Sequence, residues 1–153
     1  MERKRLHGRT TLERAFLTHA VRAGHQFFVA SLSLTSEHHW LIEALLVERF
    51  EICVSHDILL EYEEILTEKY GSVITSNFLE ALQVLPNVRP VEVYFQWNLL
   101  ADEDDNKFVD AAIAGGAAYL VSEDRHFRRL AEVDFPKVEL MRLDDFRRWY
   151  ETL

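Results

Sequence analysis

Three groups of acidic residues have the type and spacing that metal-dependent chemistry requires. The first begins at Asp57 and includes Glu61, the second covers residues 102–105, and the third is Glu123-Asp124. Carboxylates that are brought together repel one another, and at neutral pH they stay ionised only when cations neutralise them. Oxygen ligands favour hard ions such as Mg²⁺ or Mn²⁺, which activate water and hold a phosphodiester for in-line displacement. These residues therefore predict metal-assisted phosphodiester hydrolysis if the fold gathers them.

The elements that would position these groups alternate between strand and helix. A buried strand over residues 50–54 precedes a helix over 57–70, and a helix over 105–115 precedes a strand over 118–122. The other predicted elements are a helix capped by Ser36, a helix over 78–85, an extended piece over 90–94, a helix over 124–131, a strand over 138–141 and a helix over 144–152. This alternation predicts an α/β fold with a parallel sheet. Because parallel strands end at one edge, we expect at least two acidic groups to converge there.

The N-terminal region differs from the rest of the chain in charge. Residues 1–22 contain six basic side chains and only two acidic ones. This pattern predicts a loose or weakly helical basic arm, or a divergent first element, over residues 1–22, ahead of a domain over residues 23–153. Residues 25–34 are mostly apolar or small, which predicts a strand and the loop after it, or a short helix.

Bulk composition narrows the class of protein. The chain has 153 residues, enough for one domain with its own core, and its single cysteine, Cys53, is expected to be a buried apolar side chain. The net charge of −9 is opposite to that of a typical nonspecific nucleic-acid binder, and fits either bound cations or an ordinary acidic enzyme. There is neither a membrane-spanning apolar stretch nor a signal-peptide core, so we expect a cytoplasmic protein without membrane contact.

Three strings, taken in order, resemble the PIN-domain family in its branch of toxin-like ribonucleases. They are FEICVSHDILLEYEEIL at 50–66, DEDDNKFVDAA at 102–112 and AYLVSEDRHF at 118–127. The closing string VDFPKVELMRLDDF also resembles the family's last strand and helix, so the likeness extends over about residues 31–146. The resemblance implies a three-layer α/β/α fold with a central parallel sheet.

The same resemblance implies which residues form the site. Glu61 matches the family's helical metal-binding glutamate, Asp105 best matches its aspartate in the acidic turn, and Ser122 with Asp124 matches its Thr/Ser-x-Asp strand end. Glu61, Asp105 and Asp124 are thus the implied catalytic residues, and Ser122 the supporting one. The implied ligands of Mg²⁺ or Mn²⁺ are Glu61, Asp102, Asp104, Asp105 and Asp124.

One part of the family pattern is missing. Family members begin with a strand that ends in Asp-Thr-Asn or similar, and that aspartate binds metal. Counting back from the matching strings places this motif at Gly24-His25-Gln26, and no acidic residue lies between Glu13 and Glu37. Loss of this carboxylate predicts weaker metal binding and weaker activation of water.

Two functions from different classes follow from these observations. The first is a metal-dependent ribonuclease that acts on RNA, of the toxin–antitoxin type, with an antitoxin protein as partner and a homodimer as its assembly. The second is a catalytically impaired PIN-fold module that binds RNA or a protein without cleavage, so enzymatic activity stays open. A phospho-acceptor receiver is poorly supported, because it needs paired acids after its first strand.

Two further side chains lie close to the predicted site. His126 follows Asp124 by two residues and is interpreted as an RNA contact or as a cover for the edge of the sheet. Trp97 precedes the acidic turn and is interpreted mainly as a packing residue, with base stacking as the alternative.

Overall fold

The computed structural model describes residues 16–19 and 31–152, and it contains a five-stranded sheet with helices. The strands are β1 Phe16–His19, β2 Glu51–Val54, β3 Val88–Pro90, β4 Tyr119–Val121 and β5 Leu140–Met141. The helices are α1 His39–Leu46, α2 His56–Tyr70, α3 Ser72–Val84, α4 Glu103–Gly115 and α5 Leu143–Glu151, with a 3₁₀ helix at Arg125–Glu132. These elements match the predicted ones from residue 36 onward in type and order, with shifts at their ends and with a 3₁₀ helix at 125–132. The predicted cap is wrong, because α1 begins after His38 and has no side-chain cap, while Ser36 accepts a hydrogen bond from the His38 backbone N–H at 3.1 Å in the preceding turn.

The sheet has the strand order β3-β2-β1-β4-β5, and every neighbouring pair is parallel. The chain therefore builds outward from β1 in one direction through β2 and β3, and in the other through β4 and β5. In open parallel sheets, functional residues gather beyond the carboxyl ends of the strands where this direction changes. The α/β fold with a central parallel sheet, predicted from the sequence, is confirmed.

Helix α2 is fixed at both ends by local sequence. The Ser55 hydroxyl accepts a hydrogen bond from the backbone N–H of Ile58 at 3.3 Å, and the helix ends at Gly71, whose φ of 83° suits glycine. Ile58, Tyr62 and Leu66 are buried at helical spacing and form the side of α2 that faces the core. Burial, and secondarily the neighbouring Glu61 carboxylate, raises the pKa of the Tyr62 hydroxyl. Tyr62 is therefore an uncharged core residue.

Helix α4 carries acidic side chains into the core. The Asp102 carboxylate caps the helix by accepting a hydrogen bond from the backbone N–H of Asp104 at 3.0 Å. Asn106 fixes the preceding turn, because its amide exchanges hydrogen bonds of 2.9 Å with both backbone groups of Leu100. The helix ends before Gly116, which has a φ of 63°. α4 packs against β1, β2 and β4, and Asp105 in its first turn lies beside residues that follow β4.

Of the two predictions for the N-terminal region, a divergent first element agrees with the strand at Phe16–His19. Phe16–His19 form a strand at the centre of the sheet, hydrogen-bonded to both β2 and β4, and not a loose or weakly helical arm. Two flanking strands supply the pairing that this mixed-polarity sequence does not predict locally. Residues 32–38 form turns, while residues 25–30 and the expected motif at Gly24-His25-Gln26 lie outside the described residues. The boundary between residues 22 and 23 stays a prediction.

Cys53 is buried, as predicted, and it lies against the C-terminal end of α4. A Cβ atom added at Gly115 would lie 2.5 Å from the Cys53 Sγ. We therefore expect Gly115→Ala to lower the free energy of unfolding by about 1–3 kcal/mol, because close-packed cores do not accept an extra methyl group without displacement. Urea denaturation monitored by circular dichroism measures this change.

Gly116→Ala is the matched control, because it adds the same methyl group in open space and costs only about 1 kcal/mol through its positive φ. When Cys53→Ala is combined with Gly115→Ala, it removes the Sγ atom and should recover part of the lost stability. When it is combined with Gly116→Ala, it should recover none. An unchanged denaturation midpoint for Gly115→Ala would contradict the close contact.

Among the helices that the structure describes, none has the length and apolar character that are needed to cross a membrane.

Candidate metal centre

Three side chains meet at the edge of the sheet where β4 ends. They are Asp105 from the first turn of α4, and Asp124 and His126, which follow β4. One potential ligand atom from each lies within 4.8 Å of the others. The His126 Nδ1 is 3.3 Å from the Asp124 Oδ1 and 4.0 Å from the Asp105 Oδ2. The convergence of two acidic groups that the sequence predicts therefore takes place, with a histidine added.

Two consecutive turns orient the residues after β4. The buried Ser122 hydroxyl accepts a hydrogen bond from the backbone N–H of Asp124 at 3.0 Å. The Asp124 Oδ1 in turn accepts from the backbone N–H of His126 at 2.9 Å, which caps the 3₁₀ helix. Ser122 thus sets the direction of the backbone at Asp124, and Asp124 sets that of His126.

The two distances from the His126 Nδ1 to the carboxylates suit one divalent cation. Ligands about 2.1 Å from an octahedral ion lie about 3 Å apart when adjacent and about 4 Å apart when opposite. Both distances from the His126 Nδ1, 3.3 and 4.0 Å, fall in this range. Asp105 is fully buried, Asp124 is nearly so, and the His126 side chain is 55% exposed. An ion bound there would be enclosed by protein on the side of Asp105 and accessible to solvent on the side of His126.

Glu61, the helical ligand that the sequence predicts, lies in another arrangement. Its carboxylate accepts a hydrogen bond from the Lys107 Nζ at 2.5 Å, and both side chains are largely buried, with 16% and 22% exposed. Within residues 31–152 it does not join the three-donor group. Its role as a metal ligand therefore stays a prediction.

Glu61 and Lys107 line an acidic groove of about 870 Å³ between α2, residues 93–98 and α4. The acidic residues that line it are Asp57, Glu61, Glu64, Glu103, Asp104 and Asp110. Lys107 is the one basic side chain among the described lining residues. We call the groove that these acidic residues and Lys107 line the acidic groove.

Two residues of the acidic turn, Asp102 and Asp104, have different positions in the structure. Asp102 caps α4, Asp104 lines the acidic groove, and neither belongs to the three-donor group in the described part of the chain. Their roles as metal ligands stay predictions. Their negative charges at the N-terminus of α4 stabilise the helix by interacting with its dipole.

Glu123 points away from the donor group, although it adjoins Asp124. Its Oε1 accepts a hydrogen bond from the backbone N–H of Leu143 at 2.8 Å, and its Oε2 accepts from the Arg142 guanidinium at 3.0 and 3.2 Å. Glu123 therefore joins the start of α5 to the end of β4, and it has a structural use outside the site.

Asp110 and Trp97 connect α4 to the segment before the acidic turn. The Asp110 Oδ1 accepts a hydrogen bond from the backbone N–H of Trp97 at 3.0 Å. Burial raises the pKa of Asp110, and the hydrogen bond partly opposes this effect. The Trp97 ring packs edge-on against Phe95 and Phe135, with centroid distances of 4.7 and 6.0 Å. These contacts agree with a packing role for Trp97, while base stacking stays a prediction, because Phe95 and Phe135 are themselves exposed.

The raised pKa of Asp110 predicts a pH-dependent effect of Asp110→Asn. The folded state holds the Asp110 proton more tightly than the unfolded chain, so wild-type stability falls as pH rises through the folded-state pKa. Asparagine keeps an oxygen for the Trp97 N–H and does not ionise. As pH rises above about 4, the usual pKa of an aspartate in an unfolded chain, we expect the stability difference to move in favour of the variant and to level off once the pH exceeds the folded-state pKa.

Urea denaturation at several pH values measures this difference, and Asp134→Asn at an exposed position is the matched control. A difference for Asp110→Asn that stays constant across the range would contradict the prediction.

The sequence did not indicate Lys107 or Asp110 as residues of the site. It also did not indicate His126 as a metal ligand. The available signals were weak. Lys107 follows Asp105 by two residues, and Asp110 follows it by five. His126 is the last residue of a Ser-x-Asp-x-His string. None of these spacings identifies a partner by itself.

Comparison with known proteins agrees with this fold. The sequence model of one family, described as "PIN domain", matches residues 28–126. No curated protein matches the chain significantly. A solved structure of VapBC2 from Rickettsia felis bound to a DNA fragment from their promoter aligns with a TM-score of 0.57 and 13% identity, and the alignment covers 84% of this chain and 99% of that chain. At such low identity the likeness shows the fold alone.

Proposed function

This chain belongs to the PIN domain family, and on that premise we propose that it is a metal-dependent ribonuclease that hydrolyses phosphodiester bonds in single-stranded RNA. The observation that carries the proposal is the meeting of Asp105, Asp124 and His126 at the carboxyl end of β4. Asp105 comes from a part of the sequence separate from Asp124 and His126, and the three meet where a parallel sheet places its functional residues. The ion would be Mg²⁺ or Mn²⁺.

Each residue has a distinct task in this proposal. A bound divalent ion supplies Lewis acidity and lowers the pKa of water. Asp105 and Asp124 contribute two negative charges, which balance the charge of one such ion. Ser122 keeps the Asp124 backbone in place through its 3.0 Å hydrogen bond. The exposed side at His126 leaves room for the RNA phosphate to approach.

The 3₁₀ helix places exposed positive charges beside the donor group. Arg125, Arg128 and Arg129 are exposed on it, directly after Asp124, and no ion pair is recorded for them among the described residues. Arg129 also lines a pocket with His126 and Asp104. Since the net charge is −9, we propose that RNA phosphates contact this helix.

Replacing Arg128 and Arg129 together by alanine should weaken binding of single-stranded RNA and reduce its salt dependence. Each lost phosphate contact lowers the slope of log K against log salt by about 0.7 for a single strand. Fluorescence anisotropy across a salt series, without divalent ions, measures this slope. Arg147→Ala in α5, where Arg147 pairs with Glu151, is the control. An unchanged slope in the double variant would place the RNA elsewhere.

Cleavage of single-stranded RNA in the presence of Mn²⁺ tests the enzyme itself. We expect activity in the parent chain and its loss in Asp124→Asn. The alternative, a module that binds without cleavage, is favoured by the missing first carboxylate and by the pairing of Glu61 with Lys107. Variants that restore a carboxylate, Gly24→Asp and His19→Asp at the end of β1, belong in the same assay. Activity that appears only in a restored variant would establish the binding module and reject the enzyme.

We further propose a small antitoxin protein as partner, a homodimer as the assembly and the cytoplasm as the location. The support is membership of the PIN family together with the fold shared with VapBC2. Light scattering after size-exclusion chromatography tests the dimer, and a monomer at micromolar concentration would reject it. Co-expression with the protein encoded beside this chain, followed by purification of the pair, tests the partner.

A further inference from the structure

We propose that His126 binds the metal ion through Nδ1, so that the centre takes one transition ion of the Mn²⁺ class in preference to Mg²⁺. This inference rests on the proposed metal centre and adds a nitrogen ligand and an ion preference to it. The resemblance to the family assigns metal binding only to carboxylates, and the role of His126 comes from its distances to Asp105 and Asp124.

The geometry favours His126 for two reasons. Its Nδ1 is the ring atom near both carboxylates, at 3.3 Å from Asp124 and 4.0 Å from Asp105. Its backbone is also held in place, because the N–H donates to the Asp124 Oδ1 at 2.9 Å. A side chain that is 55% exposed is not needed to fill the core, so packing alone does not explain this position.

A nitrogen ligand changes which ions the centre prefers. Mg²⁺ is bound almost always by oxygen atoms and releases its water molecules reluctantly. Imidazole suits transition ions, and carboxylates accept Mn²⁺ as readily as Mg²⁺. Two carboxylate oxygens with one imidazole nitrogen therefore favour Mn²⁺ and its neighbours in the transition series over Mg²⁺.

The charges near the centre indicate one ion. Asp105 and Asp124 together balance one divalent cation. The negative charge of Glu61 is already balanced by Lys107 at 2.5 Å. A second ion beside the first would have to displace Lys107 or depend on carboxylates outside the donor group. The arrangement in the described residues therefore suits a single ion.

A simpler role for His126 is a hydrogen bond from Nδ1 to the Asp124 carboxylate, without a direct bond to the metal ion. Both roles place the ring near Asp124, but they differ in the magnetic environment of the ion. Only direct ligation puts a ¹⁴N nucleus in contact with the unpaired electrons of Mn²⁺. Pulsed electron paramagnetic resonance of the full chain loaded with Mn²⁺ detects that coupling.

We expect ¹⁴N coupling in the wild type and in His56→Ala, an exposed histidine outside the donor group, and its loss in His126→Ala. Isothermal titration calorimetry with each ion alone completes the test. His126→Ala should weaken Mn²⁺ binding by about tenfold or more, while Mg²⁺ binding changes by less than about threefold. Circular dichroism confirms that each variant is folded.

The outcomes separate this inference from the proposed function. Mn²⁺ binding without ¹⁴N coupling would overturn the ligation by His126, and equal weakening of both ions in His126→Ala would overturn the ion preference. Either outcome leaves the metal-dependent nuclease intact. Asp124→Asn should abolish binding of both ions. Absence of binding by the wild type to either ion would overturn both the inference and the proposed function.

Discussion

Replacing Asp105 by asparagine should abolish Mn²⁺ binding and lower the rate of RNA cleavage by about 1,000-fold. Metal ions contribute several kcal/mol to the stabilisation of a phosphodiester transition state, and each 1.36 kcal/mol corresponds to tenfold in rate. Asp105 is fully buried in the first turn of α4 and supplies one of the two carboxylates of the donor group. Asparagine keeps the shape of this side chain but removes its charge.

Thermal unfolding gives a second measurement that does not depend on activity. An ion that binds only the folded state stabilises it by about 2.7 kcal/mol at 100 times its dissociation constant. We expect this stabilisation by Mn²⁺ in the wild type and not in Asp105→Asn. Asp57→Asn, in the acidic groove but outside the donor group, should keep it. Stabilisation by Mn²⁺ that survives in Asp105→Asn would exclude Asp105 as a ligand.

Helices α2 and α4 could be predicted from sequence because their signals are local. Ser55 and Gly71 bound α2, Asp102 and Gly116 bound α4, and each of these residues acts within its own turn. The convergence of Asp105 with the β4 end was also predictable, because it follows from the geometry of any parallel sheet.

Strand β1 and the partners of the charged side chains could not be predicted in the same way. Phe16–His19 form a strand because two neighbours pair with them, and four residues of mixed polarity contain no such information. The pairing of Glu61 with Lys107 joins side chains 46 residues apart in sequence. The contact between His126 and Asp105 likewise depends on how α4 docks beside β4. Sequence spacing identified the acidic residues but not which of them lie together beyond the end of β4.

Lys107→Met should lower the free energy of unfolding in the absence of metal by about 2 kcal/mol. Removal of one partner from a buried ion pair costs about 3–5 kcal/mol because the other charge is left without compensation, and partial exposure of this pair reduces that figure. Glu61 would then face the other carboxylates of the acidic groove, which repel it. Urea denaturation in the presence of a chelator measures the loss.

The double variant Glu61→Gln with Lys107→Met removes both charges and should recover most of this stability, so the cycle isolates the energy of the pair. Lys137→Met, at an exposed lysine, is the matched control. An effect of Lys107→Met no larger than that of the control would show that the ion pair does not stabilise the fold.

Calorimetry with Mn²⁺ on Lys107→Met then tests the role that the sequence assigned to Glu61. In the wild type, the Lys107 ammonium occupies the position of a cation beside this carboxylate, and we expect one bound ion. Without the lysine, Glu61 can balance its charge only with an external cation, so a second Mn²⁺ should bind and restore the lost stability. A stoichiometry that stays at one would mean that Glu61 does not bind metal even when it is released. A rise to two would mean that Lys107 is what keeps the predicted ligand out of the centre.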